Sequence, residues 1–105
     1  MTQDDRPDHW ISADGLAFQR SDRGWSVSIA RELPKRLGDP IAVELPQKGA
    51  QVRAGATLLA IELSKARVEF AAPEDLTVCE SRNAAMAGKP ARGELGTWSL
   101  EISFL

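Results

Sequence analysis

The 105-residue chain is short of the residue types that build several common functional sites. It has one cysteine, Cys79, and one histidine, His9, so an internal disulfide and a four-ligand Cys/His zinc site are both excluded. The single thiol suits a reducing compartment, and we expect a cytoplasmic protein. His9 cannot form a Ser-His-Asp relay without a placed serine and acid, so we predict no catalytic residue and no metal site. Cys79 is expected to be a partly buried structural thiol.

Long apolar runs and a surplus of basic charge are also missing. No stretch approaches the roughly 20 apolar residues of a membrane-spanning helix, and the acidic, polar start does not resemble a secretory signal. The formal net charge of −2 leaves no basic surplus for phosphates, so neither a membrane nor a nucleic acid is expected as a partner. Length and composition indicate one small globular domain, which we place at residues 8–105 behind a flexible tail at 1–7.

Short stretches in which apolar and polar residues alternate dominate the chain. The clearest is TWSLEISF near the C-terminus, and in IAVEL the alternation places Ile41, Val43 and Leu45 on one face. Further strands are predicted at HWI, WSVSI, ATLLAIEL, ARVEFAA and LTVCES. Many short strands with frequent turn signals predict a mainly β fold, a small flattened barrel or sandwich with one or two short helices.

Three segments are predicted to lie outside the strands. In ARELPKRLG, Leu33 and Leu37 would share one helical face, the proline between them limits a helix to about two turns, and Gly38 is a suitable helix end. Residues 82–96 are predicted to form a helical turn followed by a loop. Residues 12–24 carry turn residues at both ends and are predicted to form a loop.

Lys65 stands at the break between the two strand-like runs of IELSKARVEF, where no Gly, Asn or Pro marks an ordinary turn. A catalytic pair with Ser64 is not expected, because adjacent residues of an extended chain point to opposite faces and no second base is present. Two interpretations remain. Lys65 is either an ordinary solvated lysine or a lysine presented at a hairpin tip for covalent attachment.

Covalent attachment requires an exposed amine on a rigid, protruding element, which a tight hairpin between packed strands provides. Glu62 and Glu69 lie at fixed offsets from the lysine and would give a modifying enzyme a docking register. Ala66 is small and keeps the approach to the lysine open. On these residues alone both interpretations stay open.

Residues 37–73 resemble the glycine cleavage system H protein family, whose members carry a lipoyl group. The similarity rests on LGD at 37–39, VELP at 43–46, the GAQVRAG turn at 49–55, ELSKA at 62–66 and a proline that ends the next strand. Outside this range, DHWI and GTWSLEI resemble the family's first and last strands. The resemblance implies a barrel-sandwich hybrid fold like that of lipoyl domains.

The resemblance also implies lipoate attached to Lys65, with Glu62 three residues before it and Glu69 four after it, as in the family. Ser64 and Ala66 flank the lysine where biotin carriers of the same fold have methionines, which favours lipoate over biotin. The implied function is a non-enzymatic carrier that shuttles an aminomethyl or related intermediate on the lipoyl group.

The implied partners are a pyridoxal-phosphate glycine decarboxylase, an aminomethyltransferase and a dihydrolipoyl dehydrogenase. A lipoate ligase or an octanoyl/lipoyl transferase would load the lysine. A carrier that visits several enzymes is expected to be a monomer.

The chain departs from the family pattern in several places. Ala30-Arg31 replaces a Thr-Asp helix cap, Asp75-Leu76 replaces Ser-Gly, the region 83–98 is shorter, and residues 12–24 are an extra loop. These differences leave two alternatives open. One is a lipoyl carrier for another pathway, such as oxidative sulfur metabolism, and the other is an H-like binding module without lipoate.

Overall fold

The structure, a computed structural model, describes residues 6–83 and 98–105. Their regular structure is almost entirely β, with a single 3₁₀ turn at Lys35–Leu37. In chain order the strands are β1 His9–Ile11, β2 Leu16–Ser21, β3 Gly24–Ile29, β4 Pro40–Glu44, β5 Gln51–Val52, β6 Thr57–Leu63, β7 Arg67–Ala71, β8 Leu76–Asn83 and β9 Trp98–Phe104.

The strands form two antiparallel sheets. The large sheet has the order β1-β2-β3-β9-β8-β5, and the small sheet has the order β4-β6-β7 with β6 in the centre. Each sheet contributes apolar side chains to one shared core, as in a sandwich of two packed sheets. The predicted mainly β, flattened barrel-sandwich fold is confirmed.

The core is built from residues of both sheets that are almost completely removed from solvent. Its largest buried side chains are Phe18, Phe70, Leu16, Leu59, Ile61, Leu76, Leu100 and Ile102. At its edge Trp10 stacks on Phe18 with ring centroids 4.5 Å apart, and Phe104 lies beside both rings. The apolar residues that the strand patterns place on one face therefore meet in a single contiguous core.

The prediction of a loop at residues 12–24 is wrong. Leu16–Ser21 form β2, which pairs with β3 along its whole length. The first three residues of β2 are all buried, so the strand shows no apolar–polar alternation by which it could be recognised. The turn residues at the two ends of the segment connect β2 to its neighbours in the large sheet.

Ile41 does not share the buried face of Val43, contrary to the prediction from IAVEL. Pro40 lies opposite Leu63 and Ala42 lies opposite Glu62, so Ile41 is an extra residue in β4, a β-bulge. The bulge shifts the alternation of the strand by one position. Ile41 is consequently 51% exposed, whereas Val43 is buried.

The helix predicted in ARELPKRLG is only the 3₁₀ turn at Lys35–Leu37. Pro34 precedes it in an extended conformation and provides no side-chain cap, so nothing stabilises a longer helix here. Gly38 ends the turn as predicted, and Leu33 and Leu37 both pack against the core. Of the helical turn and loop predicted at 82–96, the first two residues end β8, and 84–96 lie outside the described residues.

The remaining single residues have simple environments. Cys79 is half-buried in β8, as predicted, and His9 is exposed in the edge strand β1. Most of the predicted tail at 1–7 lies outside the described residues, but Arg6 forms an ion pair with Glu74 and stacks on the ring of Phe104. Within the described part of the chain, no helix is long and apolar enough to cross a bilayer.

Asp14, in the turn between β1 and β2, links the two sheets. Its carboxylate accepts a hydrogen bond of 2.7 Å from the amide N–H of Ala71, at the end of the edge strand β7. We expect Asp14→Ala to lower the free energy of unfolding by about 2 kcal/mol, because a part-buried amide loses a charged acceptor. Urea denaturation measures this loss.

The matched control is Asp22→Ala, in the turn between β2 and β3, where the aspartate is exposed. We expect that change to stay within about 0.5 kcal/mol, as surface substitutions usually do. Equal losses in the two variants would show that the link from Asp14 to Ala71 contributes nothing to stability.

Candidate functional site

The hairpin formed by β6 and β7 ends in a two-residue loop, Ser64 and Lys65. Glu62 lies opposite Arg67, and the amide N–H of Leu63 donates a 2.7 Å hydrogen bond to the carbonyl of Ala66. Lys65 and Ser64 are exposed, whereas Leu63 just before them is buried. The transition from core to solvent therefore takes place within two residues.

The backbone conformation of this loop explains the absence of turn-forming residues. Two-residue hairpin loops usually need positive φ angles, which favour Gly and Asn. No non-glycine residue in the described chain has a positive φ, so Ser64 and Lys65 make their turn without one. The loop is supported from outside, because the amides of Ser64 and Lys65 donate hydrogen bonds of 3.0 Å to the carbonyls of Asp39 and Leu37.

The Lys65 ammonium is available for chemistry. Its side chain is exposed, and no carboxylate of the described residues lies within ion-pair distance of it. Ala66, the next residue, is half-buried and leaves the side of the lysine open. The amine is therefore presented to solvent from a backbone that hydrogen bonds hold in place.

The two predicted acidic neighbours lie on the same face of the small sheet. The strand register aligns Ala42, Glu62 and Arg67 across the sheet, and likewise Glu44, Ala60 and Glu69. Val43, Ile61 and Val68 are aligned on the opposite face, toward the core. We call the face that carries Ala42, Glu44, Ala60, Glu62, Arg67 and Glu69 the outer face.

Arg67 organises the charges of the outer face. Its guanidinium forms ion pairs with Glu44, on the far strand, and with Glu69 at 3.1 Å. Ala60, which lies between Glu44 and Glu69 in the register, is only 1% exposed. A small residue on the central strand therefore leaves room for Arg67 to connect the two edge strands.

The hydrogen bonds of this network shift two pKa values. The Thr57 hydroxyl donates a 2.8 Å bond to Glu69, and this bond, followed by that from Arg67, lowers the pKa of the Glu69 carboxyl below its ordinary 4.5. The carboxylates of Glu44 and Glu69 raise the pKa of Arg67. Glu62 lies opposite Arg67, yet it forms no hydrogen bond with another described side chain and stays exposed.

Of the five residues that the sequence singles out, Glu62, Ser64, Lys65 and Ala66 lie together at the tip of the β6–β7 hairpin. Glu69 lies in the middle of β7, and its carboxylate bonds Thr57 at the far end of β6. Sequence reasoning missed Glu44, Thr57 and Arg67. The period of two along β7 contains a signal for Arg67, since it alternates with Val68 and shares a face with Glu69. Thr57 and Glu44 reach this site only through strand pairing.

Comparisons with known proteins identify the family. The model of the "Glycine cleavage H-protein" family matches residues 6–92. A "Glycine cleavage system H protein" of Phenylobacterium zucineum is 32% identical over 100 residues, which are 90% of this chain and 76% of the relative. The chain belongs to the glycine cleavage H-protein family.

Two other relatives of the family agree with this assignment. The "Glycine cleavage system H protein" of Acidiphilium cryptum is 34% identical over 101 residues, covering 91% of this chain and 75% of that protein. The one of Deinococcus radiodurans is 29% identical over 83 residues, covering 79% of this chain and 60% of that protein. H-family proteins carry lipoate, and the resemblance that the sequence motifs indicate is confirmed.

The hydrogen bond from Thr57 gives a testable prediction for Glu69. We expect Thr57→Val to raise the pKa of the Glu69 carboxyl toward its ordinary value, because the first cause of its lowering is removed. An NMR titration of the glutamate carboxyl carbons measures the change. The sign for stability follows from linkage: a carboxyl with a lowered pKa stabilises the fold above the pKa of the unfolded chain. That contribution disappears as the pH falls through the lowered value.

Thr77→Val on β8 is the control, since Thr77 belongs to the large sheet and lies outside this network. The pKa of Glu69 should be the same in that variant as in the parent. An unchanged Glu69 pKa in Thr57→Val would show that the hydroxyl does not bond the carboxylate in solution.

Proposed function

We propose that Lys65 is the residue to which lipoate is attached in this member of the H-protein family. The observation that carries the proposal is the position of Lys65, which is exposed in a two-residue loop. Hydrogen bonds to the carbonyls of Asp39 and Leu37 hold the backbone of that loop. As a family member, the chain functions as a lipoyl carrier of the glycine cleavage system.

The surroundings of Lys65 fit an amide-linked group. Amide formation needs an amine that is free of ion pairs and can enter the active site of another enzyme, and Lys65 has no carboxylate partner among the described residues. Ser64 and Ala66 add little bulk on either side of the lysine. The bound lipoyl group would supply thiol–disulfide chemistry, while the protein supplies a fixed root for the arm.

A fixed root and a long arm suit delivery among several enzymes. Tethering raises the effective concentration of the group at each site that the arm can reach. A rigid hairpin lets the whole domain be recognised in one orientation while only the arm moves. The chain is therefore proposed to be a carrier subunit and not itself a catalyst, acting as a monomer.

We place the partner enzymes in two groups. A lipoate ligase or an octanoyl/lipoyl transferase would load Lys65. A pyridoxal-phosphate glycine decarboxylase, an aminomethyltransferase and a dihydrolipoyl dehydrogenase would then use the loaded carrier. Glu62 and Glu69 on the outer face are proposed as docking contacts, because both are exposed on the hairpin that carries the lysine and the face has three carboxylates against one guanidinium.

Intact mass spectrometry tests the attachment. The protein, produced in cells supplied with lipoate or incubated with lipoate ligase, lipoate and ATP, should gain the mass of one lipoyl group. Lys65→Arg should gain none, because arginine keeps the charge but offers no acylable amine.

Lys48→Arg is the matched control, since the Lys48 side chain is 69% exposed but lies in the turn between β4 and β5. It should be labelled like the parent. Label on Lys65→Arg would place the attachment elsewhere, and an unlabelled parent would indicate an H-like binding module without lipoate. A labelled protein that glycine decarboxylase does not use would indicate a carrier for another pathway.

A further inference from the structure

We propose that residues 37–39 form a positioning clamp for the lysine loop and that Gly38 is the residue that makes this clamp possible. We call the segment Leu37–Gly38–Asp39 the tip clamp. The inference deepens the proposed function and rests on Lys65 as the attachment site. It assigns Gly38 a role in presenting the lysine, although glycine itself carries no reactive group.

The hydrogen bonds of the loop are the first observation. Ser64 and Lys65 are the two residues of the hairpin loop, between Leu63 and Ala66, which are joined by a backbone hydrogen bond. The tip clamp accepts hydrogen bonds from both of their amides. The Ser64 amide donates a 3.0 Å bond to the Asp39 carbonyl, and the Lys65 amide donates a 3.0 Å bond to the Leu37 carbonyl. A loop that would otherwise have its amides in water is thereby attached to a second segment of the chain.

The close approach of Gly38 to the loop is the second observation. A Cβ added to Gly38 would lie 1.8 Å from the Ser64 Oγ, 3.1 Å from the Ser64 Cβ and 3.3 Å from the Lys65 amide nitrogen. Rotation of the hydroxyl would relieve only the first contact. Gly38 also has a φ of +94°, a conformation that residues with a side chain rarely adopt. Both observations require glycine at this position.

The tip clamp is itself fixed at both ends. On one side, the amides of Leu37 and Gly38 donate to the carbonyls of Pro34 and Lys35 in the 3₁₀ turn, and Leu37 packs on the core. On the other side, Pro40 begins β4 and lies opposite Leu63, the last residue of β6. The clamp thus leads directly into β4, which pairs with β6, the strand from which the loop emerges.

The consequence is a lysine backbone with one conformation. The amide of Lys65 is held by Leu37, so the direction in which its side chain leaves the loop is set before any enzyme binds. An acylating enzyme then meets a loop whose backbone is already ordered and does not have to order it on binding. We infer that the tip clamp raises the rate of lipoate transfer to Lys65 and gives the attached arm a fixed origin.

The first test is amide hydrogen exchange in the protein without lipoate. The amides of Ser64 and Lys65 should be protected in the parent, and Gly38→Ala should increase their exchange rates by about tenfold or more, since the clamp cannot close. Gly55→Ala is the matched control. Gly55 has a similar φ of +86°, but a Cβ there would meet no atom within 4 Å, so exchange at the loop should not change.

The second test is the rate of lipoate transfer by lipoate ligase with lipoate and ATP, measured by intact mass. Gly38→Ala should reduce kcat/KM by about tenfold, a size that misplacement of a reacting group readily produces. Gly55→Ala should be acylated like the parent. Thermal unfolding of each variant shows whether it is folded at the assay temperature.

A double substitution separates positioning from general strain. The loss caused by Gly38→Ala should be smaller when Ser64 is already alanine, because the contact of the new Cβ with Ser64 Oγ is then absent. The proposal is overturned if the amides of Ser64 and Lys65 exchange freely in the parent or if Gly38→Ala is acylated at the parental rate. It is also overturned if Gly55→Ala loses as much acylation rate as Gly38→Ala. A parent that accepts no lipoate refutes the attachment at Lys65. Protected amides of Ser64 and Lys65 would then show that the clamp exists but does not serve lipoate attachment.

Discussion

The pairing of β6 with strands on both of its edges is the constraint on which the site depends. Four consecutive residues of this strand, Leu58–Ile61, are buried, so it cannot shift along its neighbours without exposing core residues. β7 continues from β6 through the lysine loop, and β4 follows the tip clamp. Because both partners of β6 are attached to the site, the register of one buried strand positions the loop and its clamp together.

The small sheet has one apolar face and one charged face. The inner face contributes Val43, Ile61 and Phe70 to the core. The outer face carries Glu44, Arg67 and Glu69, exposed charges whose pairwise attractions are individually weak in water. Strand register fixes their arrangement on the face of the hairpin that carries the lysine. The proposed docking of partner enzymes would use this charged face while the apolar face remains in the core.

The parts of the fold that the sequence predicts are those whose signal is local. Alternation in WSVSI and TWSLEISF predicts strands because side chains of a strand point to opposite faces in turn. The same reasoning fails at β2, where three successive residues are buried, and at Ile41, where a bulge adds a residue to the strand. In both places the neighbouring strand decides which residue is covered, and a single-strand pattern contains no information about that neighbour.

The candidate site likewise combines residues that local sequence predicts with contacts that depend on the fold. ELSKA and its flanking acids lie within one hairpin, so the sequence alone predicts Lys65, Glu62 and Glu69 as site residues and indicates the family. The contacts of Arg67 with Glu44 and of Gly38 with the loop depend on segments that are distant in the chain. Strand spacing, register and the path of the 3₁₀ turn determine those contacts, and they arise only when the two sheets pack. The sequence by itself thus determined which amine is presented, whereas the tertiary structure decided how rigidly it is held, because hydrogen bonds to Leu37 and Asp39 require a completed fold.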